Sequence, residues 1–342
     1  MLTERQAQIL KIIVGDYIRT AVPIASDSIA KHHDLGVSSA TIRNEVARLE
    51  AKGYISRPHL SAGSVPLDNG YRLYVEAVLG KRQEAETVDD EARTKIRRRL
   101  LEAEREAEDW AGAAADILAQ LVGNMAVTTF PKAREPRIKH VEIVPIQDML
   151  ALLIVVLEQA RVRKQLIRLK SAVTPVEMEA SANRIKQWVS GLTRHEIKAL
   201  QAPMTPLETE VMEAAASILE AEDKGAYSDH FVNGLRNLLR QPEFAEGNKA
   251  RAVVEGVEDG SLIQAILSET PDGGVVRVII GQEHSGDNLW PLSVVVCQYG
   301  IPGSATGAIG AVGPTRMEYL RAISSVRLVS SLMTELVSGV DK

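Results

Sequence analysis

The apolar positions of the first 53 residues predict three short helices. A stripe of helical period begins after Thr3, which has Gln6 three residues further on, the spacing of a capping box. Pro23 ends this helix, because the residue before a proline is pushed out of the α region. A second helix is predicted over about Ser26 to His33, and a turn containing Gly36 follows it. The stripe of the first helix comprises Leu2, Ile9, Ile13, Tyr17 and Ile18.

The third predicted helix, residues 38–53, separates a buried face from an exposed one. Ser38 is the expected N-cap. One face is apolar at positions i, i+4 and i+7, namely Ile42, Val46 and Leu49. The opposite face carries Arg43 and Asn44 among small residues, and these two types best read guanine and adenine edges in the major groove. The pattern therefore indicates the second helix of a helix-turn-helix.

The segment after the third helix predicts a wing. A short strand is expected over Tyr54 to Pro58, then a Gly/Pro/Ser loop over 61–66, then a helix that opens at Asp68. Helices followed by strand, loop and strand are typical of a winged helix. Residues 1–75 are therefore interpreted as a winged-helix DNA-binding domain, with a winged helix that binds only protein as the alternative.

Charge restricts where this domain meets DNA. Residues 1–75 hold nine Lys/Arg against seven Asp/Glu, while the whole chain of 342 residues has a net charge of −5. The footprint is therefore expected to be a local basic patch and not a field over the whole domain. The patch would comprise Arg43, Arg48, Lys52 and Arg57, with Arg72 as a further candidate.

A charged helical pattern occupies residues 81–124. Its apolar positions are spaced alternately by four and three, which is an unbroken heptad seam. A single helix carrying this seam would be roughly 40 Å long. Packing within the chain and a dimer contact are both open for it. The seam comprises Ile96, Leu100, Ala103, Ala107, Trp110, Ala114, Ile117 and Leu121.

The remainder of the chain predicts an interrupted sheet. Strand patterns fall in two groups, and a final helix follows Pro314. A mostly helical, Lys/Glu-rich block at about 174–222 separates the groups and is interpreted as an insertion. The fold class is therefore α+β and multidomain. The strands are predicted at 141–146, 149–158, 162–169, 275–280, 292–298 and 305–312.

Four motifs closely resemble the signatures of the bacterial heat-inducible transcription repressor HrcA family. They are residues 34–45, 58–63, 70–75 and 310–317, in the family's order from one end of the chain to the other. The resemblance implies a winged helix, a GAF-like α/β domain and an inserted, mainly helical dimerisation domain. It also implies a homodimer that represses chaperone operons on a double-stranded inverted-repeat operator and is kept active by the GroE chaperonin. The domains are then 1–75, a helical linker 76–124, a GAF-like domain 125–173 and 226–342, and the insertion 174–225.

The DNA-binding residues follow from the predicted helix together with the resemblance. Arg43 and Asn44 are expected on bases, and Ser39 and Thr41 on base edges or phosphate. In the wing, this chain has Ser64 and Leu67 where the family usually has Arg and Thr, so Arg57 or Arg72 is the candidate substitute on the backbone. The full candidate set is Ser38, Ser39, Thr41, Arg43, Asn44, Arg48, Lys52, Arg57 and His59.

No pattern in the chain converges on catalysis or on a cofactor. The histidines are scattered without metal-ligand spacing, and the glycines at 307, 310 and 313 lack the Lys-Ser/Thr of a phosphate loop. The expectation is a protein that is not an enzyme, with no metal and no cofactor. A regulator with a small effector in its GAF-like domain is the main alternative, and an adaptor that contacts chaperones is another.

The cellular setting is predicted from a few features. The single Cys297 lies in an apolar strand pattern and is expected to be a buried small hydrophobe, which favours a reducing cytosol. The longest apolar run, Met149 to Leu157, is too short to cross a bilayer, and no signal-peptide pattern opens the chain. A cytoplasmic protein without membrane contact is expected.

Overall fold

The chain folds into two compact units. The first comprises Met1–Phe130, His230–Gly300 and Gly307–Lys342, and the second comprises Pro131–Asp229 and Ile301–Thr306. The computed structural model describes residues 2–58, 63–81, 90–102, 107–133, 135–158, 162–224, 230–245 and 247–340.

Three helices open the first unit: α1 (Glu4–Thr20), α2 (Ser26–His32) and α3 (Ser39–Ala51). The predicted capping box starts α1, because Thr3 Oγ1 accepts the N–H of Gln6 and Gln6 Oε1 accepts the N–H of Thr3. Helix α1 ends at Ala21, which caps it in the left-handed region with φ of +54°. The predicted start and end of α1 are therefore confirmed.

The core of this region is the one that the spacing predicts. Ser38 caps α3, and its side chain accepts the N–H of Thr41 at 3.2 Å. The three apolar residues of α3 lie against the buried stripe of α1, and all are at most 1 % exposed: Ile42, Val46 and Leu49. The buried and exposed faces of α3 are confirmed.

A two-stranded ribbon follows, formed by β1 (Ile55–Ser56) and β2 (Val65–Pro66) in antiparallel register. The first strand is shorter than predicted. Helix α4 (Asp68–Lys81) begins at Asp68, as expected.

The heptad seam lies on two helices, α5 (Asp90–Glu102) and α6 (Ala107–Val122). Arg99 Nη2 is 3.1 Å from Asp116 Oδ2, whereas residues 17 apart on one straight helix are about 25 Å apart. The prediction of a single helix of roughly 40 Å is therefore wrong. Five seam residues are buried, including Leu100 and Ala114 at 0 % exposed, and Leu121 is half-buried, so packing of the seam within the chain is confirmed.

After α6 the chain forms β3 (Met125–Thr129) and β4 (Lys132–Ala133) and then enters the second unit. There β5 (Ile138–Gln147), β6 (Leu150–Leu157) and β7 (Val162–Arg168) form an antiparallel sheet of their own, in that order. Three helices follow, and α7 and α9 pack on the sheet: α7 (Pro175–Val189), α8 (Arg194–Lys198) and α9 (Pro206–Lys224).

This unit corrects the predicted insertion. The sequence pattern places the strands at 141–169 in the interrupted sheet, but they pair only with one another among the described strands. Their buried residues, such as Leu153 and Val155, share one core with Ile185 of α7 and Val211 of α9. The insertion therefore begins near Pro131 instead of at residue 174, and it is a mixed unit of strands and helices.

The chain returns to the first unit with β8 (His230–Asn233) and the helices α10 (Leu235–Leu239), α11 (Gly247–Glu258) and α12 (Ser261–Ser268). It ends with β9 (Arg277–Ile280), β10 (Leu292–Gly300), β11 (Ala305–Pro314) and the helix α13 (Tyr319–Val340). Short 3₁₀ turns occupy Pro242–Phe244, Gly281–Glu283 and Asp287–Leu289. The three predicted C-terminal strands and the final helix are confirmed.

The main sheet has the strand order β8-β3-β11-β10-β9, with β4 paired to the start of β11. Helices α6 and α13 contact each other and pack on β3 and β10. Gly307 shows why small residues recur in β11, because a Cβ there would lie 2.6 Å from the ring of Tyr299. The expected α+β class is confirmed. Within the described residues, no helix has the length and apolar character needed to cross a bilayer.

Candidate DNA-binding surface

The turn between α2 and α3 holds α3 with one face buried. Gly36 has φ of +63°, a conformation that favours glycine, and its N–H donates to Asp34 Oδ1 at 3.3 Å. Ile29 of α2 is 1 % exposed, and α2 contacts both α1 and α3. This packing leaves the other face of α3 open to solvent.

The open face of α3 carries the residues predicted to contact DNA. Ser39, Arg43 and Asn44 are exposed, and Thr41 is half-buried. The Ser38 Oγ lies 3.0 Å from Thr41 Oγ1 and also caps the helix, so these two hydroxyls are engaged in starting α3. Three other exposed residues of α3 are small: Ala40, Ala47 and Ala51. The backbone of α3 can therefore approach a groove closely.

Arg43 is held by α2. One guanidinium nitrogen, Nη2, donates to Asp27 Oδ1 at 2.8 Å and to Oδ2 at 3.0 Å. Both side chains are more than half exposed, at 60 % and 57 %. An exposed ion pair contributes roughly 0–1 kcal/mol. This one engages Nη2, so Arg43 can keep the pair and still offer its other guanidinium nitrogens to a base.

The C-terminal half of α3 is tied to α1 by a polar cluster. The buried Gln6 donates from Nε2 to Glu45 Oε2 at 2.8 Å, and Arg48 Nη1 donates to Glu45 Oε1 at 2.9 Å. Lys52 Nζ donates to Gln6 Oε1 at 3.0 Å. Arg48 and Lys52 are themselves exposed. Their positive charges are thus held at the edge of α3, beside the start of α1, a position suited to phosphate.

Arg57, just beyond β1, pairs with Glu50 of α3. Its Nε donates to Glu50 Oε2 at 2.8 Å. Hydrogen bonding to Arg57 lowers the pKa of Glu50, and the same bond raises the pKa of Arg57. The pair fixes a cation at the base of the ribbon.

The ribbon is anchored to the connection between α1 and α2. Ser64 is 2 % exposed, and its N–H donates to the carbonyl of Ile24 at 2.8 Å while its carbonyl accepts the Ile24 N–H at 3.0 Å. A Cβ on Gly63 would lie 2.5 Å from the backbone of Pro23. Position 64 therefore faces inward in this chain. His59 lies outside the described residues, so its role stays a prediction.

Arg72 does not belong to the predicted basic patch. Its Nε donates to Glu283 Oε1 at 2.7 Å, and its Nη2 donates to the carbonyl of Val278 at 2.8 Å. This pairing with residues of the main sheet region favours Arg57 over Arg72 as the substitute for a wing arginine, and that role stays a prediction. The four remaining basic residues of the patch lie on α3, at its C-cap or directly after β1.

The other candidate chemistries do not come together. No group of three or more His, Cys, Asp or Glu side chains in the described ranges is placed to hold a metal ion. Cys297 is 1 % exposed, as predicted, and burial raises the pKa of its thiol. His284 is buried with its Nδ1 2.7 Å from Glu269 Oε2.

A cleft of about 580 Å³ lies on helices of the first unit. It is lined by α1, α4 and the start of α13, not by the interior of the main sheet. Its charged residues have both signs, and a histidine lies beside them: Lys11, Asp16, Arg19, His33, Glu318 and Arg321. The arrangement gives no pocket of one sign that would select a particular small effector.

Sequence reasoning missed the acidic partners of the basic patch. Asp27 and Glu50 lie 16 and 7 residues from their arginines, spacings that no single helix brings together. Glu45 carried a signal, since it sits one turn before Arg48 on a helix whose other face is apolar. The sequence predicts the role of Gln6 in the capping box of α1, but it does not predict the contacts of Gln6 with Glu45 and Lys52.

Comparison with known proteins identifies the family. Residues 108–323 match the model of the HrcA protein C-terminal domain. A heat-inducible transcription repressor HrcA of Dehalococcoides mccartyi is 40 % identical over 338 residues, which is 99 % of this chain and 96 % of that protein. One of Herpetosiphon aurantiacus is 34 % identical over 346 residues, covering 99 % and 96 %.

A solved structure described as a hypothetical protein at 2.2 Å resolution aligns with a TM-score of 0.64 and 22 % identity, covering 99 % of both chains. At that identity it supports the fold alone. The family model and the full-length relatives establish the family without this structural alignment. The chain belongs to the HrcA family of heat-inducible transcription repressors, which are not enzymes.

Proposed function

We propose that residues 1–75 are a winged helix-turn-helix that places α3 in the major groove of an operator. The observation that carries this proposal is the open face of α3, which presents Arg43 and Asn44 among small side chains while the opposite face is buried. Bidentate contacts of Arg to guanine and of Asn to adenine each discriminate by about 1–3 kcal/mol. Ser39 and Thr41 contact base edges or phosphate at the start of α3.

The basic residues around this face bind phosphate. Arg48 and Lys52 flank the groove at the end of α3, and Arg57 contacts the backbone from the ribbon. Each is exposed and each is held by a carboxylate or amide of the same domain. Ser38 supports the start of the helix, and His59 is proposed to contact DNA from the wing.

The second unit is proposed to be the inserted dimerisation domain, and the main sheet with α6 and α13 the GAF-like domain. The outer face of β5-β6-β7 is apolar and exposed, with Leu166 60 % and Val162 47 % exposed. Its registered rows run Val144–Leu152–Leu166 and Glu142–Ile154–Lys164 across the three strands. Such a face in a protein of this size is typical of an interaction site.

A second copy of the chain fits this face by charge. Two copies would face each other across these sheets, with the two-fold axis between them and parallel to β6. Strand β5 of one copy then lies over β7 of the other. Glu142 therefore meets Lys164 of the partner subunit at both ends of the row. This is the self-complementarity that a symmetric interface requires. A dimer places two α3 helices on the two half-sites of an inverted repeat.

The biological role follows from the family. The chain is proposed to repress heat-shock chaperone operons in the cytoplasm and to be kept active by the GroE chaperonin. When unfolded proteins occupy the chaperonin, the repressor loses activity and the operons are transcribed. This part rests on membership of the family and not on any contact described above.

The test is a selection of DNA by the full-length protein from a randomised duplex pool, followed by gel shift on the recovered sequence. An inverted repeat is expected, bound by a dimer. Recovery of no preferred sequence would contradict the proposal. Repeating the gel shift through a mild temperature step with and without GroE tests the chaperonin role. An affinity that depends on added metabolites and not on GroE would favour the small-effector alternative.

A further inference from the structure

Helix α4 is fastened to the segment that joins β9 to β10. The Arg72 guanidinium donates to Glu283 Oε1 at 2.7 Å and to the Val278 carbonyl at 2.8 Å. One turn earlier on the same face, Asp68 Oδ2 accepts the N–H of Gln282 at 2.9 Å. Two side chains of α4 therefore grip one short segment of the sheet domain.

The segment is shaped for this contact. Gly281 has φ of +53°, and a Cβ at this position would lie 2.2 Å from the Asp68 carboxylate. Glu283 also accepts the N–H of Ile280 at 2.9 Å, which holds its carboxylate in place for Arg72. Hydrogen bonds to Glu283 raise the pKa of Arg72. The contact thus joins two charged groups that are each preorganised.

A second link joins α1 to the sheet domain. Arg316, only 14 % exposed, donates from Nη1 to the Ile18 carbonyl at 3.3 Å and from Nη2 to Gln241 Oε1 at 2.8 Å. Ile18 lies in the last turn of α1, where carbonyls lack helical partners and favour a cation. The rings of Tyr71 and Tyr319 meet with centroids 6.1 Å apart. Tyr71 of the motif at 70–75 therefore contacts a residue that lies two positions after the motif at 310–317.

These contacts coexist with an open recognition face. Arg43 and Asn44 remain exposed while Arg72 and Arg316 are engaged. The links therefore hold the first three helices without covering the surface proposed for DNA.

We infer that Asp68, Arg72 and Arg316 are positioning residues for operator recognition, which fix the orientation of α3 on the sheet domain and so set the spacing between half-sites. This inference rests on the proposed DNA-binding function and on the proposed dimer. A fixed link makes the second half-site contact effectively intramolecular when the spacing fits, and a loose link gives that advantage up.

The test uses full-length protein with Arg72→Glu, Glu283→Arg and the double exchange. Affinity is measured for one half-site, for the selected inverted repeat, and for repeats whose spacer is changed by two base pairs and by half a helical turn. The exposed pair Arg251 and Glu255, four apart on α11, provides a matched exchange that cannot position anything.

We expect each single variant to keep its half-site affinity, to lose about tenfold on the full repeat and to discriminate less between spacers. The double exchange should restore both properties, and the Arg251 and Glu255 exchange should change neither. The sign for Glu283→Arg is decisive, since an added cation that acted only through charge would tighten DNA binding.

Unchanged spacer dependence in both single variants would overturn the inference. So would tighter binding to the full repeat, or loss of half-site affinity in parallel with the full repeat. If a single variant does not fold, Glu283→Gln retains the bond to Ile280 and should show the same change with smaller size. Failure of the wild type to prefer an inverted repeat would instead overturn the proposed function.

Discussion

Arg43 and Asp27 are joined across the turn between α2 and α3, with the guanidinium Nη2 2.8 Å from the carboxylate. The arginine expected to read a base is thus held in place by a residue of the preceding helix. We expect Asp27 to have two opposite effects on DNA binding. It would orient Arg43, and it would add a negative charge close to the DNA backbone.

Asp27→Asn should therefore raise the affinity for unrelated duplexes while reducing the preference for the selected operator. The loss of a nearby negative charge favours any DNA, whereas a freed Arg43 discriminates less between bases. Fluorescence anisotropy on selected and scrambled duplexes at one salt concentration gives the ratio of the two affinities. A ratio that stays constant would show that Asp27 does not orient Arg43.

Ala21→Gly should stabilise the first unit by about 0.5–1 kcal/mol. Ala21 is the only described non-glycine residue with a positive φ, and the left-handed region costs a side-chain-bearing residue about 1–2 kcal/mol. Urea unfolding followed by a probe in the N-terminal helices measures the change. The matched variant Ala77→Gly, at an exposed position of α4, should destabilise by about 1 kcal/mol. Equal effects at the two positions would contradict the account of the α1 cap.

Asp16→Asn should destabilise the N-terminal helices at neutral pH and have no effect near pH 2. Burial opposes the ionisation of Asp16, but hydrogen bonds from His33 and Arg19 outweigh it and lower the pKa of the carboxyl. A lowered pKa in the folded state contributes stability above the ordinary value of 3.8, and that stability is lost as pH falls through the folded pKa. Denaturation at both pH values compares the variant with the wild type. An equal difference at the two pH values would exclude this linkage.

Leu166→Glu should shift the protein toward the monomer and lower the affinity for the full inverted repeat by about tenfold or more. The new carboxylate lies on the apolar outer face of β5-β6-β7, on its edge strand β7, where a partner copy would bury it. Sedimentation at several concentrations reports the state of assembly. Val176→Glu, at a position 77 % exposed on α7, is the control and should leave the dimer intact. A dimer unaffected by Leu166→Glu would mean that the interface lies elsewhere.

The parts of the structure that the sequence predicts are the local ones. The Thr3 and Ser38 caps and the buried face of α3 depend on residues within two turns of each other, so period and capping rules are sufficient. The prediction of a single helix for the seam at 96–121 failed because spacings of four and three fit a helical hairpin as well as one straight helix. The contact that distinguishes the hairpin from the straight helix joins Arg99 to Asp116, which are 17 residues apart.

The same physical limit explains the other corrections. The strands at 138–168 have clear patterns, but their pairing with one another and not with β3 or β11 depends on long-range packing. Arg72 looks like a surface cation near the wing, and its partner Glu283 is 211 residues away. The candidate face of α3 was predictable residue by residue, whereas the acidic groups that hold its arginines were not.

The central claim is that the open face of α3 reads the operator. The most direct measurement compares Arg43→Ala with Lys52→Ala on the selected operator and on single-base variants of it, over a range of salt concentrations. Arg43→Ala should cost about 1–3 kcal/mol and relax the preference at one base pair. Lys52→Ala should weaken all duplexes alike and reduce the salt slope by about one. Uniform losses for both variants, with no base pair relaxed by Arg43→Ala, would contradict the claim.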